Sequence, residues 1–132
     1  ILEYEDIPGV LVPASEIIGK KVPGAPVVSA SLALQHTAAM SDSMYLVSRV
    51  DFEHRGKTYW TLDNLDTQSA YHLTNLSLAL EAERWTTRVY VNNLFDEEYI
   101  EWYFAARVIG LPADIAWPSR PRQAGLEFSW SF

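Results

Sequence analysis

The sequence predicts an all-β protein, an antiparallel up-and-down meander. Three observations indicate this class: apolar and polar residues alternate at every second position, the alternating stretches are short, and Gly, Pro, Asn or Asp stand between them. A period of two is typical of strands with one apolar and one polar face. No stretch holds the roughly 18 uninterrupted apolar residues that a membrane-spanning helix needs, a test that leaves spanning by strands open.

The predicted strands follow one another along the chain, each with an apolar face. In the first two strands, on either side of a turn at 37–42, this face contains Val28, Ala30, Leu32 and Leu34 and then Met44, Leu46, Val50 and Phe52. The next two strands form a hairpin around Glu83 and Arg84, with apolar faces of Leu76, Leu78 and Leu80 and of Trp85, Val89 and Val91. Further strands are predicted over 100–108 and 124–132, and partial strands over 1–5 and 58–62. The longest irregular stretches, 6–25 and 110–122, hold most of the prolines.

The composition of the 132 residues excludes several kinds of site. With 17 acidic and 10 basic residues, a formal net charge of -7 and no block rich in Lys or Arg, the chain lacks a surface for nucleic-acid phosphates. It contains no cysteine, which excludes disulfide bonds, thiolate nucleophiles and cysteine-based metal sites. The first residues contain neither a signal peptide nor an initial Met, so the chain is interpreted as a mature or excised segment.

The second face of the strands is small, polar or charged, a property that two classes of β-protein share. In a soluble sandwich the apolar face turns inward to a dry core and the polar face meets water. In a membrane barrel the apolar face meets lipid and the polar face lines a lumen. The alternation alone favours the soluble class, because soluble sheets are far commoner, so other motifs must decide.

The last strand ends on an aromatic residue, whereas a soluble strand is usually followed by a few frayed polar residues. Residues 125–132 carry apolar side chains at every second position. This pattern resembles the closing strand of bacterial outer-membrane barrels, in which such residues are read by the barrel assembly machinery. The resemblance implies that four residues form an assembly signal: Leu126, Phe128, Trp130 and Phe132.

A second resemblance lies upstream of that strand. Residues 93–99 are similar to the NLFD-x-x-Y turn of TonB-dependent outer-membrane receptors, with Asn93, Leu94, Phe95, Asp96 and Tyr99 at the motif positions. The approach to the final strand resembles the P-x-x-P-R-x-x-G pattern of the same family, through Pro118, Pro121, Arg122 and Gly125. The resemblance covers about residues 20–132.

The turn motif also has a physical basis. Asn92, Asn93 and Asp96 are expected to hydrogen-bond neighbouring backbone amides and to tolerate left-handed conformations. Leu94 and Phe95 are expected to cover the rim of the barrel. Without its surroundings, the same segment is an ordinary tight β-turn.

The resemblance implies a fold and a function for the chain. Residues 1–132 would be the C-terminal segment of a transmembrane β-barrel, about six to seven strands of a larger barrel, with no plug domain. The intact protein would be an outer-membrane receptor that imports scarce nutrients such as ferric siderophores, cobalamin or glycans, without catalysis and without a cofactor. Its implied partners are outer-membrane lipid, the rest of the barrel and plug, the barrel assembly machinery, the TonB complex through the missing N-terminal part, and a small-molecule or metal-chelate ligand.

In such a barrel, charged residues are tolerable on the lumen face because water fills the interior. The lumen-facing candidates are Arg49, Asp51, Glu53, Asn75, Glu81, Arg88, Tyr90, Glu101 and Arg107. Counting strands back from a periplasmic C-terminus places 93–98 in the periplasm and places 82–84 and 110–122 outside. The candidates for an external loop that meets ligand are Trp117, Arg120 and Arg122.

Enzyme motifs are absent: the chain has no G-x-S-x-G elbow, no H-E-x-x-H and no Walker loop. No metal site is expected either. His36, His54 and His72 are each placed near a strand end in phase with the apolar face, where rim or turn histidines are favoured over a set of ligands. The acidic residues 96–98 are interpreted as a solvated turn, in preference to a general-acid pair or calcium ligands.

Two alternatives to the receptor segment stay open. One is a small soluble β-barrel or sandwich that binds a ligand, like a lipocalin. The other is a complete small outer-membrane barrel, which needs eight closed strands and is less well supported by six strands and fragments. A requirement for detergent separates the soluble alternative from the other two.

Overall fold

A computed structural model describes residues 18–106 and 110–132. Among these residues no helix is long and apolar enough to cross a membrane. The described strands are β1 (Ser29–Ser41), β2 (Met44–Arg55), β3 (Thr58–Tyr59), β4 (Thr67–Gln68), β5 (Tyr71–Ala82), β6 (Trp85–Asn92), β7 (Ile100–Phe104), β8 (Ile115–Pro118) and β9 (Gln123–Trp130). The partial strand predicted over 1–5, most of the stretch 6–25, and Arg107 lie outside the described residues.

The chain divides into two compact units. The first, here the sheet unit, consists of Ala30–His54, His72–Glu98 and Arg120–Phe132. The second, here the loop unit, consists of the described residues of Ile1–Ser29, Arg55–Tyr71 and Tyr99–Ser119.

The sheet unit is built on a five-stranded sheet with the order β1-β2-β5-β6-β9. Residues 42–43 join β1 to β2, and Glu83 and Arg84 join β5 to β6. The predicted hairpin at 83–84 is therefore confirmed. The all-β antiparallel meander is confirmed as well.

The register of the sheet places residues of like polarity side by side. Leu78 pairs with Val89, which pairs in turn with Leu126. One position along, Arg88 stands between Ala79 and Glu127 on the opposite face. Because residues directly opposite each other share a face, the pairing joins the short apolar runs of β5, β6 and β9 into one continuous surface.

This apolar surface is not covered by the described part of the chain. Leu126 is 69% exposed and Phe128 is 62% exposed. The buried apolar residues among those described are small: Ala79, Ala105 and Ala106. A soluble sandwich would place such leucines and aromatics in a dry core between two sheets.

The strand predicted over 100–108 does not belong to the five-stranded sheet. β7 pairs with β8 in a separate two-stranded sheet, while β6 pairs directly with β9 from Trp85↔Trp130 to Asn92↔Gln123. A hairpin inside a long connection has the same period of two as a strand of the wall, so alternation does not distinguish them. The predicted wall position of Glu101 is therefore wrong, and part of the irregular stretch 110–122 is a strand.

Because the prediction counts one wall strand too many, it places the turns on either side of β6 at the wrong ends of the sheet. The Ser131 amide donates to the Arg84 carbonyl at 2.8 Å, so the C-terminus and the turn 83–84 lie at the same end. The turn 93–98 begins at the opposite end, where Asn92 pairs with Gln123. The placement of 93–98 on the side of the C-terminus, with 82–84 across from it, is therefore wrong.

The loop unit contains the sheets β3-β4 and β7-β8. Its chain from Gly24 to Val28 runs beside Gly56 to Tyr59: the Gly24 amide donates to the Tyr59 carbonyl at 2.7 Å, and the Gly56 amide donates to the Val28 carbonyl at 2.8 Å. A Cβ at Gly56 would lie 2.7 Å from that same carbonyl oxygen, so this close approach requires glycine. The partial strand predicted over 58–62 is present as β3.

Candidate functional site

Asn93 organises the turn after β6. Its backbone has a left-handed φ of 51°, and its side chain is largely buried at 8% exposure. The side-chain amide donates to the carbonyls of Glu97 and Arg120 at 3.0 and 3.3 Å, while its oxygen accepts from the Glu97 amide at 2.9 Å. One side chain thus closes the turn on itself and ties it to the chain that enters β9.

The neighbouring strand also contacts this turn. The Asn93 amide donates to the side-chain oxygen of Asn75 at 2.9 Å, and the Leu94 amide donates to the Thr74 carbonyl at 2.8 Å. The side chain of Asn75, predicted to face the lumen, therefore accepts a hydrogen bond from the backbone that follows β6. These contacts join β5 to the turn beyond its last ladder pair.

Asp96 and Arg122 add two hydrogen bonds between the turn and the chain that enters β9. Together with the hydrogen bonds of Asn93 these contacts are here called the clamp. The Asp96 carboxylate accepts from the Arg122 amide at 2.6 Å, and the Arg122 guanidinium donates to the Leu94 carbonyl at 3.4 Å. Asp96 has a φ of 56°, so the predicted left-handed conformations of Asn93 and Asp96 are confirmed. Asn92 lies within β6, and Phe95 remains 72% exposed. The NLFD and P-R motifs, distant in sequence, thus form one hydrogen-bonded structure.

Arg49 with Asp51, and Arg88 with Glu127, form ion pairs on the polar face of the sheet unit. Arg49 donates to Asp51 from Nη2 at 2.6 Å and from Nε at 2.8 Å, and both lie beside a cleft of about 300 Å³ that Glu53 and Asn75 also line. Arg88 lies 3.6 Å from Glu127 across the β6-β9 pair. Since these side chains are exposed, each ion pair is screened by water and contributes little to stability.

The loop unit contains a cavity of about 430 Å³ with an aromatic lining. Its aromatic side chains are Trp60, Tyr71, Trp102, Tyr103 and Phe104, and its polar ones include Arg55, Gln68 and Glu101. The indole Nε1 of Trp60 is buried and has no hydrogen-bond partner among the described residues. An acceptor atom on a bound molecule would satisfy that donor.

Stacked rings hold the wall of this cavity in place. Tyr71 and Tyr99 stack with centroids 4.2 Å apart, and the Ser119 amide donates to the Tyr99 carbonyl at 2.8 Å. Trp117 packs edge-on against Trp102 at 5.3 Å. Tyr99, a position of the turn motif, therefore belongs to the loop unit, and Trp117 supports a cavity residue.

A hydrogen-bonded cluster lies behind Tyr103. Its hydroxyl donates to Asp114 at 2.7 Å and lies 3.2 Å from a carboxylate oxygen of Asp66. Thr61 donates to Asp63 at 2.6 Å and lies 3.1 Å from Asp66. The hydrogen bond to Asp114, together with burial and the charge of Asp66, raises the pKa of Tyr103 above its usual 10.0. No motif marked these residues, because they are far apart in sequence and each is of a common turn type.

The external-loop candidates fall in different units. Trp117 is on β8 in the loop unit, whereas Arg120 and Arg122 belong to the sheet unit, where they contact the turn at Asn93 and Leu94. The histidines also separate: His36 lies in the middle of β1, contrary to its predicted place near a strand end, while His54 and His72 lie near the ends of β2 and β5. Among the described residues, no group of three or more His, Asp or Glu side chains is arranged to hold a metal ion.

No family model matches the chain. A solved structure with a similar fold is that of the ferric yersiniabactin uptake receptor FyuA from Yersinia pestis, with a TM-score of 0.76 and 26% sequence identity. The match covers 86% of this chain and 17% of that one. The chain therefore spans a minor part of the length of the protein that it matches.

Proposed function

We propose a transport function, on the premise that this chain resembles, in its motifs and its fold, the C-terminal barrel segment of a TonB-dependent outer-membrane receptor. In this proposal the sheet unit forms part of the wall of an outer-membrane barrel, and the intact receptor imports a scarce nutrient. The chain itself supplies wall, external connection and assembly signal, and performs no catalysis.

The uncovered apolar surface of β5, β6 and β9 supports a position in the membrane. Water disfavours a contiguous apolar patch of this kind, whereas the hydrocarbon of a bilayer covers it at no cost. The opposite face, with Arg49, Asp51 and Arg88, suits a water-filled lumen. These two faces favour the barrel over a soluble lipocalin-like protein, which would bury its leucines.

The proposed class of ligand, a ferric chelate, rests on the aromatic cavity of the loop unit. Flat aromatic walls with a few polar groups bind ligands that offer rings and acceptor oxygens. Among ferric siderophores, cobalamin and glycans, a ferric siderophore fits this description best, and the similar solved receptor takes up ferric yersiniabactin. The ligand of this receptor is accordingly proposed to be a ferric chelate that contacts Trp60 and Trp102.

The remaining partners follow from the same proposal. The open edges of β1 and β9 pair with further strands of the barrel. Leu126, Phe128, Trp130 and Phe132 are read by the barrel assembly machinery, and a plug domain and the TonB complex act through parts of the receptor beyond this chain.

The test is ferric-siderophore binding and uptake by cells that express the intact receptor. Trp102→Ala is expected to weaken binding about tenfold, since a stacked aromatic platform contributes on the order of 1 kcal/mol or more. Phe95→Ala, an exposed aromatic residue outside the cavity, is the matched control and is expected to bind normally. Equal binding by both variants at equal surface abundance would contradict the proposed role of the cavity.

A further inference from the structure

Two histidines meet on adjacent strands of the sheet unit. His54 lies near the end of β2 and His72 lies near the start of β5, which neighbours β2 in the sheet. Their Nδ1 atoms are 3.3 Å apart, with ring centroids at 4.7 Å. Phe52 stacks on His72 with centroids at 5.6 Å and an angle of 23° between the rings. The pair is thus positioned by strand pairing and by an aromatic neighbour.

The separation of the two nitrogens fits a metal chelate. In a tetrahedral zinc site each histidine nitrogen lies about 2.0–2.1 Å from the metal, which places two such nitrogens about 3.3–3.4 Å apart. The observed 3.3 Å between His54 Nδ1 and His72 Nδ1 agrees with this distance. An ion held by both nitrogens would therefore require little rearrangement of the two strands.

The chemistry of the pair also suits a transition metal. Neutral imidazole is a preferred ligand of zinc, copper and nickel. In the absence of metal, the Nδ1–H of one ring donates a hydrogen bond to the Nδ1 of the other, because a contact between two unprotonated nitrogens is repulsive. When both Nδ1 atoms bind the ion, that ring carries its proton on Nε2 instead. His72 is exposed and His54 is half-buried, and both lie near the ends of their strands, away from the middle of the apolar face, so an ion and its water ligands can reach the pair.

We propose that His54 and His72 form a two-histidine binding site for a divalent transition-metal ion such as Zn²⁺ or Cu²⁺, with water as the remaining ligands. The proposal revises the expectation from sequence that no histidine binds metal. It rests on the pairing of β2 and β5 alone and holds whether or not the receptor imports a ferric chelate. His36, on β1, takes no part in this site.

The test uses the intact receptor in detergent micelles, titrated calorimetrically with ZnCl₂. Loss of a residue that only hydrogen-bonds to a metal ligand already weakens metal affinity about 10- to 100-fold. Loss of a ligand itself is therefore expected to weaken zinc affinity at least about tenfold. His54→Ala and His72→Ala should each produce this loss, and His36→Ala should leave the affinity unchanged. Far-UV circular dichroism shows whether each variant is folded. If an alanine variant does not fold, the corresponding His54→Asn or His72→Asn variant is used in its place.

Electron paramagnetic resonance with Cu²⁺ provides an independent readout. The site is expected to show hyperfine coupling to two imidazole nitrogens in the original receptor and to one in either single variant. Unchanged zinc affinity in both variants, or a copper spectrum without two coupled nitrogens, would show that the pair is only a hydrogen bond between strands.

Discussion

The ring of Tyr90 lies over the backbone of Gly125, its cross-strand partner on β9. A Cβ at Gly125 would lie 2.5 Å from both Cζ and the hydroxyl oxygen of Tyr90, which is closer than real contacts allow. The aromatic ring occupies the space that glycine leaves empty, a pairing that stabilises glycine within strands. The glycine of the motif upstream of the last strand thus has a packing role.

Gly125→Ala is expected to destabilise the sheet by about 1–3 kcal/mol, because Tyr90 must swing away from its position. Tyr90→Ala removes the clash, so the effect of Gly125→Ala should largely disappear in that background. Unfolding in urea with the four variants of the double-mutant cycle measures this coupling. Ser129→Ala on the same strand is the control, and additive effects of the two changes would contradict the packing role.

Asn93→Ala is expected to destabilise the clamp at the end of β6 by about 2–4 kcal/mol. The variant leaves the half-buried Glu97 amide and the carbonyls of Glu97 and Arg120 without their side-chain partner, and it places alanine in a left-handed conformation. Asn93→Gly loses the same hydrogen bonds but avoids the strain of alanine in a left-handed conformation. Its stability should therefore lie between those of Asn93→Ala and the unchanged chain. Asn92→Ala, one residue earlier in an exposed strand position, is the control in the same unfolding measurement, and an equal loss in both would argue against the clamp.

The raised pKa of Tyr103 predicts a loss of stability in alkali. Below pH 10.0, the usual pKa of the phenol, both folded and unfolded chains keep the proton, and the contribution of the hydrogen bond to Asp114 is complete. Above it the unfolded chain ionises while the folded chain keeps its proton, so stability falls as the pH rises towards the folded pKa.

The measurement is an absorbance titration at the phenolate band, compared between the original chain and Tyr103→Phe. The folded difference spectrum should show no ionisation at the pH where free tyrosine is half ionised. Asp114→Asn should move the pKa of Tyr103 downwards, because the charged acceptor is replaced by a neutral one. A normal titration of Tyr103 in the folded chain would refute the hydrogen bond.

The uncovered apolar face predicts that the chain requires detergent. Purified in buffer alone it should associate, whereas in micelles detergent covers the exposed leucines and aromatics. Analytical ultracentrifugation under both conditions is the check. A monodisperse monomer that unfolds cooperatively without detergent would support the soluble alternative and would rule out the membrane proposal.

In the proposed receptor, replacing residues 110–119 by a short Gly-Ser linker is expected to abolish the proposed uptake of a ferric siderophore while leaving the amount of receptor in the membrane unchanged. The change removes β8, and with it the support that Trp117 gives to Trp102 in the cavity. The residues that clamp the base of the connection, Arg120 and Arg122, are kept, so assembly should proceed. Unchanged uptake would mean that this connection does not meet the ligand.

Alternation predicts the wall strands well, because register follows directly from which residues share a face. Alternation at every second position places Leu78, Val89 and Leu126 on the apolar faces of their strands. Strand pairing brings these three residues side by side, as expected. The turn at Asn93 was predictable too, since its side-chain chemistry is local.

Contacts between distant parts of the chain were beyond prediction from period and motif. Nothing local indicates that β7 pairs with β8 instead of joining the sheet, as both choices satisfy the same alternation. Tyr103 meets Asp66 and Asp114 through the folding of two connections, and His54 meets His72 through the order of strands. Such pairs depend on which strands are neighbours, which a single sequence does not encode in any short window.

Because β6 pairs directly with β9, the chain between them can be replaced without changing the sheet. Residues 99–119 leave the sheet unit after Glu98 and return to it at Arg120. The hydrogen bonds of Asn93, Asp96 and Arg122 close that junction, and none of those described here uses a residue of the insert. The insert can therefore be lengthened, shortened or replaced without shifting the register of the wall. For a designer of receptors with new specificity, this junction is a ready site for grafting.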